Sequence, residues 1–160
     1  SLAHYLKDAD ITLADISEKA LEVARENAEK NGVNVKIINA DLLDGSQKYF
    51  ENESFDIIVS NPPYVSDAEY ETLMPEVKDH EPALALKAGE KGLDIYKRLI
   101  SEAPDHLVDG GILALEIGCT QADDVTSLMK DAQFVEIKVI KDLTGLDRVV
   151  IGYLKYKRED

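Results

Sequence analysis

The sequence predicts an α/β fold: a mostly parallel sheet with helices on both faces. Three observations lead there. Strand-like apolar runs alternate with helical patterns along the 160 residues. The runs are apolar almost without interruption, as strands buried on both faces are. Polar residues stand at or just after their carboxyl ends, where ligands of such sheets sit: Asp15, Asp41, Asn61, and Glu116 with Gly118. The length suits one domain with a sizeable core.

The elements follow in order. SLAHYLKDAD (1–10) is helix-like, and ITLAD (11–15) reads as a short buried strand. Ser17 can cap the next helix, whose Ala20, Leu21, Ala24 and Ala28 fall on one stripe. Asn31-Gly32 closes it, because glycine accepts the left-handed cap. VKIIN (35–39) and FDIIVS (55–60) are the next strands. The stretch from Tyr64 to about Gly92 reads as irregular. GLDIYKRLISEAPDHL (92–107) is mostly helical, Pro104 ends or kinks it, and Gly110-Gly111 reads as a turn. ILALEIG (112–118) is the most strand-like run of the chain. A helix near 121–131 precedes strands near 134–140 and 148–155. There is no internal repeat, low-complexity segment or interdomain linker.

Composition narrows the function. Apolar residues make up 44% and charged residues 31%, as in ordinary soluble proteins. No apolar run approaches the length of a membrane span, and the N-terminal residues lack a signal-peptide layout. One cysteine, Cys119, cannot form an internal disulfide, which sets a reducing cytoplasm as the default. His4, His80 and His106 lie far apart without metal-ligand spacing, so no metal site is expected. A formal charge of −14 repels phosphate backbones and disfavours nucleic acid as a direct partner. The basic cluster Lys155, Lys157, Arg158 reads as a solvated tail.

Chemistry concentrates at the strand ends. Asp15 can accept hydrogen bonds from both hydroxyls of a ribose, or it can be an exposed acid helping to cap the helix at Ser17. The residues alone leave both readings open. Asp41 in NADLL is a weaker candidate, since acids are common in turns after strands. NPPY (61–64) is more specific. Two prolines fix φ at both positions and remove two backbone donors, and the first pushes Asn61 towards an extended conformation. Carbonyl oxygens at this turn are held in place while lacking neighbouring N–H partners. Asn61 adds a side-chain oxygen, so two fixed acceptors could hold both N–H bonds of a planar amide or aromatic amine. Tyr64 supplies a face to stack on that group. The bland alternative is a plain Pro-Pro turn at a strand end.

SNPPYV after an apolar strand resembles the signature of class I S-adenosylmethionine-dependent methyltransferases that act on planar nitrogens. LADISEKALEVARENAEKNGV, HEPALALKAGEKGLDIYKRLI, LALEIGCTQADDV and KDLTGLDRVVIG resemble, in order, segments of the HemK-type protein-glutamine N5-methyltransferases. The likeness spans nearly the whole chain. It implies a Rossmann-like class I methyltransferase fold. It also implies S-adenosylmethionine as cofactor, S-adenosylhomocysteine as product, and methylation of the glutamine in the Gly-Gly-Gln motif of peptide chain release factors. Carried over by position, Asp15 binds the cofactor ribose, and Asp41 and Leu42 line the adenine edge. Asn61 holds the substrate amide and borders the methyl donor. Pro62 offers its carbonyl to the amide, and Pro63 and Tyr64 complete the pocket. Glu116 receives no role.

Two family features do not occur in residues 1–160: the Gly-rich first motif with its strand, and the N-terminal helical domain. Residues 1–160 are therefore expected to form a partial class I catalytic domain, truncated at its N-terminus. Edges at 11–15 and 55–60 are expected to be left open to self-association, and the isolated chain is expected to bind cofactor poorly. The alternatives are an amino-methyltransferase of a nucleic-acid base, which the same clamp would fit, and a catalytically inactive fragment of the family.

Overall fold

The computed structural model describes residues 1–43, 54–78 and 80–156. Of the basic cluster near the C-terminus, Lys157 and Arg158 lie outside the described residues. The chain forms two compact units, Ser1–Asn52 and Glu53–Asp160.

The first unit holds a one-turn helix α1 (Leu2–Tyr5), strand β1 (Thr12–Asp15), helix α2 (Glu18–Lys30) and strand β2 (Lys36–Asn39). β1 and β2 pair in parallel, with Asp15 opposite Asn39. Ser17 caps α2 as expected, its hydroxyl accepting from the Ala20 amide at 3.3 Å. Gly32 takes φ +60° just past the end of α2. Leu21 on α2 and Ile38 on β2 are buried.

The second unit holds a four-stranded sheet in the order β3-β4-β6-β5. Its strands are β3 (Phe55–Ser60), β4 (Leu107–Glu116), β5 (Phe134–Lys141) and β6 (Asp147–Leu154). β3 runs parallel to β4, while β6 is antiparallel to both β4 and β5. The parallel pairs are thus β1–β2 and β3–β4, and the sheet is mixed beyond them. The reason is local: a short turn joins β5 to β6, and only antiparallel strands can be joined so tightly. Helix α6 (Asp94–Glu102) buries Tyr96, Leu99 and Ile100, and α7 (Ala122–Asp131) buries Ala122, Val125 and Met129. These 3.6-period stripes meet Leu113, Leu115, Ile117, Phe134, Val150 and Leu154 in the core.

Three expectations are corrected. The stretch after Tyr64 is not irregular throughout: it contains α3 (Asp67–Thr72), α4 (Pro75–Lys78) and α5 (Ala83–Leu86). A capping box starts α3, with the Ser66 hydroxyl accepting from the Glu69 amide and the Glu69 carboxylate accepting from the Ser66 amide. Gly110-Gly111 is not a turn between elements. Both lie inside β4, where the register against β3 slips between Phe55 and Ile57 and Gly110 takes φ +77°. Finally, β1 and β3 are less buried than their apolar runs suggest: Leu13 is 36% exposed, Ile57 51% and Val59 59%, and each strand is an edge of its own sheet.

The β5–β6 turn is organised by Asp142. Its carboxylate accepts from the Thr144 hydroxyl at 2.6 Å, the Thr144 amide at 2.9 Å and the Leu146 amide at 3.1 Å. The Arg148 guanidinium donates to the other oxygen at 3.2 Å. Led by the Thr144 hydroxyl, these donors hold the Asp142 carboxyl down from an ordinary 3.8 to about 2. A carboxyl depressed in the folded state stabilises the turn fully above pH ~4, and that contribution is lost as pH falls through about 2. An acid titration followed at the Thr144 amide by NMR should show the turn loosening in that window. Asp142→Asn should remove the transition. A turn that stays fully ordered well below pH 2 would refute the assignment.

Candidate functional site

Each unit carries one part of the predicted site. In the first, Asp15 ends β1 with its Oδ1 accepting from the Ser17 amide at 2.7 Å. The helix-capping reading is therefore correct for one oxygen. The other oxygen accepts no hydrogen bond from the described residues and is available for a ligand. Asn39, opposite Asp15 across the strand pair, fixes the backbone here. Its Nδ2 donates to the Asp15 carbonyl at 3.3 Å and to the Ile16 carbonyl at 3.1 Å. Asp41 and Leu42 follow β2. Asp41 is exposed, and Leu42 is half-buried at φ +54°, a left-handed conformation that costs a non-glycine residue energy. A strand-end carboxylate with one open oxygen offers acceptor lone pairs to the hydroxyls of a ribose diol.

In the second unit, Asn61–Tyr64 leave the end of β3. Pro62 is buried, Pro63 and Tyr64 are half-buried and Asn61 is exposed. Neither the Asn61 side chain nor the Pro62 carbonyl makes a hydrogen bond to the described residues. Two acceptors adjacent in sequence, beside prolines that fix φ at 62 and 63, thus lack a partner among the described residues. The chain after the clamp is stitched to the 86–92 loop. Val65 N donates to Leu86 O at 2.9 Å, Ala88 N to Val65 O at 2.9 Å and Asp67 N to Gly89 O at 3.0 Å. Lys87 pairs with Asp67 at 3.0 Å on the same seam, and that carboxylate raises the lysine's pKa.

The end of β4 completes the surroundings of Tyr64. A Cβ at Gly118 would lie 3.4 Å from Tyr64 Cδ2, so the tyrosine ring occupies space that glycine leaves. Fully buried Tyr96 donates from its hydroxyl to the Glu116 carbonyl at 2.8 Å. Burial, then the proximity of Tyr64 and Glu116, pushes the Tyr96 phenol above its ordinary range, so it stays a proton donor at neutral pH. Sequence reasoning placed Gly118 at a strand end without a role, and missed Gly92, Tyr96 and Gln121. The signal for the last was present: Gln121 stands at the N-cap of α7, a position that favours Ser, Thr, Asp or Asn, and its side chain does not cap that helix. Among the described residues no cluster of His, Cys, Asp or Glu could hold a metal ion, and no helix is long and apolar enough to cross a membrane. A groove of about 520 Å³ lined by Lys97, Ile100, Pro104, Leu128 and Leu154 includes none of the predicted site residues.

Gly92 should be the least replaceable glycine around the clamp. It sits at φ +69°, and a Cβ there would run into the Tyr64 carbonyl oxygen and lie 2.8 Å from Gln121 Nε2. Gly145, at φ +85°, has nothing within 4 Å of a built Cβ. Gly145→Ala should therefore cost only the left-handed penalty of about 1–2 kcal/mol. Gly92→Ala should lower the melting temperature by several degrees more. Equal melting temperatures for the two variants would refute the packing reading.

The comparisons agree with one another. The Methyltransferase small domain family matches residues 1–79. The "Release factor glutamine methyltransferase" of Fusobacterium nucleatum is 44% identical over 161 residues, covering 100% of this chain and 45% of the relative. That of Clostridium acetobutylicum is 43% identical over 156 residues, covering 95% and 53%. The chain spans about half the length of the curated relatives it matches. Among solved structures, a methyltransferase from Pyrococcus furiosus superposes with TM-score 0.68 at 22% identity, over 96% of this chain and 67% of that one; this likeness is one of fold. A release-factor-specific protein-(glutamine-N5) methyltransferase from Alicyclobacillus acidocaldarius superposes with TM-score 0.50 at 26% identity, over 91% and 78%.

Proposed function

We propose, from its 44% and 43% identity to release factor glutamine methyltransferases, that the chain carries the ribose acid and substrate clamp of an S-adenosylmethionine-dependent protein-glutamine N5-methyltransferase. The substrate is the glutamine of the Gly-Gly-Gln motif in a peptide chain release factor, and the setting is cytoplasmic. Residues 1–160 act as part of one catalytic domain. The observation that carries the reading is the pair of acceptors without a partner among the described residues, Asn61 Oδ1 and Pro62 O, on a turn where two prolines fix φ at 62 and 63.

Asp15 holds the ribose of the cofactor through its open oxygen, with Asp41 and Leu42 along the adenine edge. When bound, S-adenosylmethionine supplies an electrophilic methyl group on a sulfonium sulfur. Asn61 and Pro62 accept the two N–H bonds of the glutamine amide, which orients the nitrogen and raises its electron density. Tyr64 and Pro63 hold the planar amide from its faces. An amide nitrogen is a poor nucleophile because its lone pair is delocalised, so positioning and electrostatics supply most of the acceleration. No general base is needed within the clamp, since one amide proton can pass to water. The −14 charge supports a protein substrate over a nucleic-acid base.

The test uses protein made from the longest reading frame that contains these residues. Incubation with S-adenosylmethionine and a Gly-Gly-Gln peptide should yield N5-methylglutamine, identified by mass spectrometry. A Gly-Gly-Glu peptide should not react. Methylation of a DNA or RNA base instead would overturn the substrate assignment, and absence of any transfer would favour an inactive member of the family.

A further inference from the structure

We infer that Gln121 is the positioning residue of the clamp, an inference that rests on the functional reading of Asn61–Tyr64. Its side-chain amide is nearly buried, with 9% of the residue exposed. Nε2 donates to the Tyr64 carbonyl at 3.1 Å and to the Gly92 carbonyl at 3.1 Å, while Oε1 accepts from the Gly118 amide at 3.0 Å. Both amide protons and one oxygen lone pair are thus committed, and a flipped amide would set its oxygen against two carbonyl oxygens.

The contact with Tyr64 fixes an entire peptide plane. Gln121 holds the carbonyl of the Tyr64–Val65 unit, and Leu86 O holds the N–H of the same unit from Val65 at 2.9 Å. A peptide unit is planar, so tethering its oxygen and its nitrogen fixes its rotation about the chain axis. Upstream, the two prolines fix φ at 62 and 63. The clamp is therefore suspended between the end of β3 and one anchored plane, and Gln121 is the side chain that anchors it. The residue gives its side chain to a loop 57 positions away in sequence, not to the helix it begins. Gly92 and Gly118 leave the room this requires: a Cβ at Gly118 would lie 2.7 Å from Gln121 Oε1.

Two variants test the role. Gln121→Met keeps the length of the side chain and removes its three hydrogen bonds. Gln121→Glu keeps an acceptor for the Gly118 amide but aims a carboxylate oxygen at two carbonyls. In protein from the longest reading frame, Gln121→Met should lower kcat for a Gly-Gly-Gln peptide about tenfold, with the KM for S-adenosylmethionine within about twofold of the parent. Gln121→Glu should lose more. Hydrogen exchange at the Val65 amide should accelerate in both variants while the amides of the β4–β6 ladder keep their protection. A merely structural role would raise exchange in the ladder as well. Parent-like kcat in Gln121→Met, or an unchanged Val65 exchange rate, would overturn the inference. If the parent itself transfers no methyl group, the functional reading fails. The exchange pattern still decides whether Gln121 anchors the turn.

Discussion

Asn61→Ala is expected to lower methylation of a Gly-Gly-Gln peptide by about 10²-fold or more while leaving the dissociation constant for S-adenosylmethionine largely unchanged. The expectation follows from what Asn61 does and does not touch. Its side chain makes no hydrogen bond within the described residues, so removing it breaks no structural contact of that kind. On the proposed reading, what it removes is one of the two acceptors on the reacting amide. A nitrogen held by the Pro62 carbonyl alone can swing about that bond, and a displacement of ~1 Å at the attacking atom costs about 10²-fold in rate. Single-turnover kinetics with radiolabelled cofactor would measure the chemical step, and equilibrium dialysis the binding. Turnover at the parent rate would remove Asn61 from the mechanism.

Asp15→Ala should show the opposite split. Loss of a charge-assisted contact to ribose hydroxyls should weaken cofactor binding by about 1.5–3 kcal/mol, with kcat at saturating cofactor much less affected. The substitution also removes the acceptor for the Ser17 amide, which lies 2.7 Å from Asp15 Oδ1. Asp15→Asn separates the two effects. It keeps an amide oxygen for Ser17 and one further polar atom, so helix capping should survive while affinity for the diol falls. Calorimetry that finds the parent dissociation constant in both variants would leave Asp15 as a helix-capping acid alone.

Much of the fold was legible because it rests on local pattern. The four strands up to Ile117 and the helices beginning after Ser17 and Gln121 carry their own periodicity and end signals. The exceptions have identifiable causes. The antiparallel placement of β6 follows from the tight Asp142-centred turn, and that turn's side-chain hydrogen bonds cannot be read as geometry from KDLTGLDR. The helices between Val65 and Lys87 are one to two turns long, too short for an apolar stripe to appear, although Ser66 and Glu69 did carry a capping-box signal. Gly110-Gly111 looked like a turn because glycine pairs mark both turns and bulges. At the site, NPPY was legible because proline acts through its own covalent geometry. Gln121 offered only its unusual place at a helix N-cap, because its role depends on partners 29 and 57 residues away.

The two glycines beside the clamp also bear on how its selectivity could be altered by design. Gly92 and Gly118 fill their positions with backbone, and a side chain at either would displace the Tyr64 carbonyl or the Gln121 amide. Pro62 is buried, which leaves little freedom there. On the proposed reading, the space beside the clamp can therefore be changed with least backbone movement at Tyr64 itself, which is half-buried. A library meant to admit larger planar amines would vary residue 64 and leave its neighbours intact.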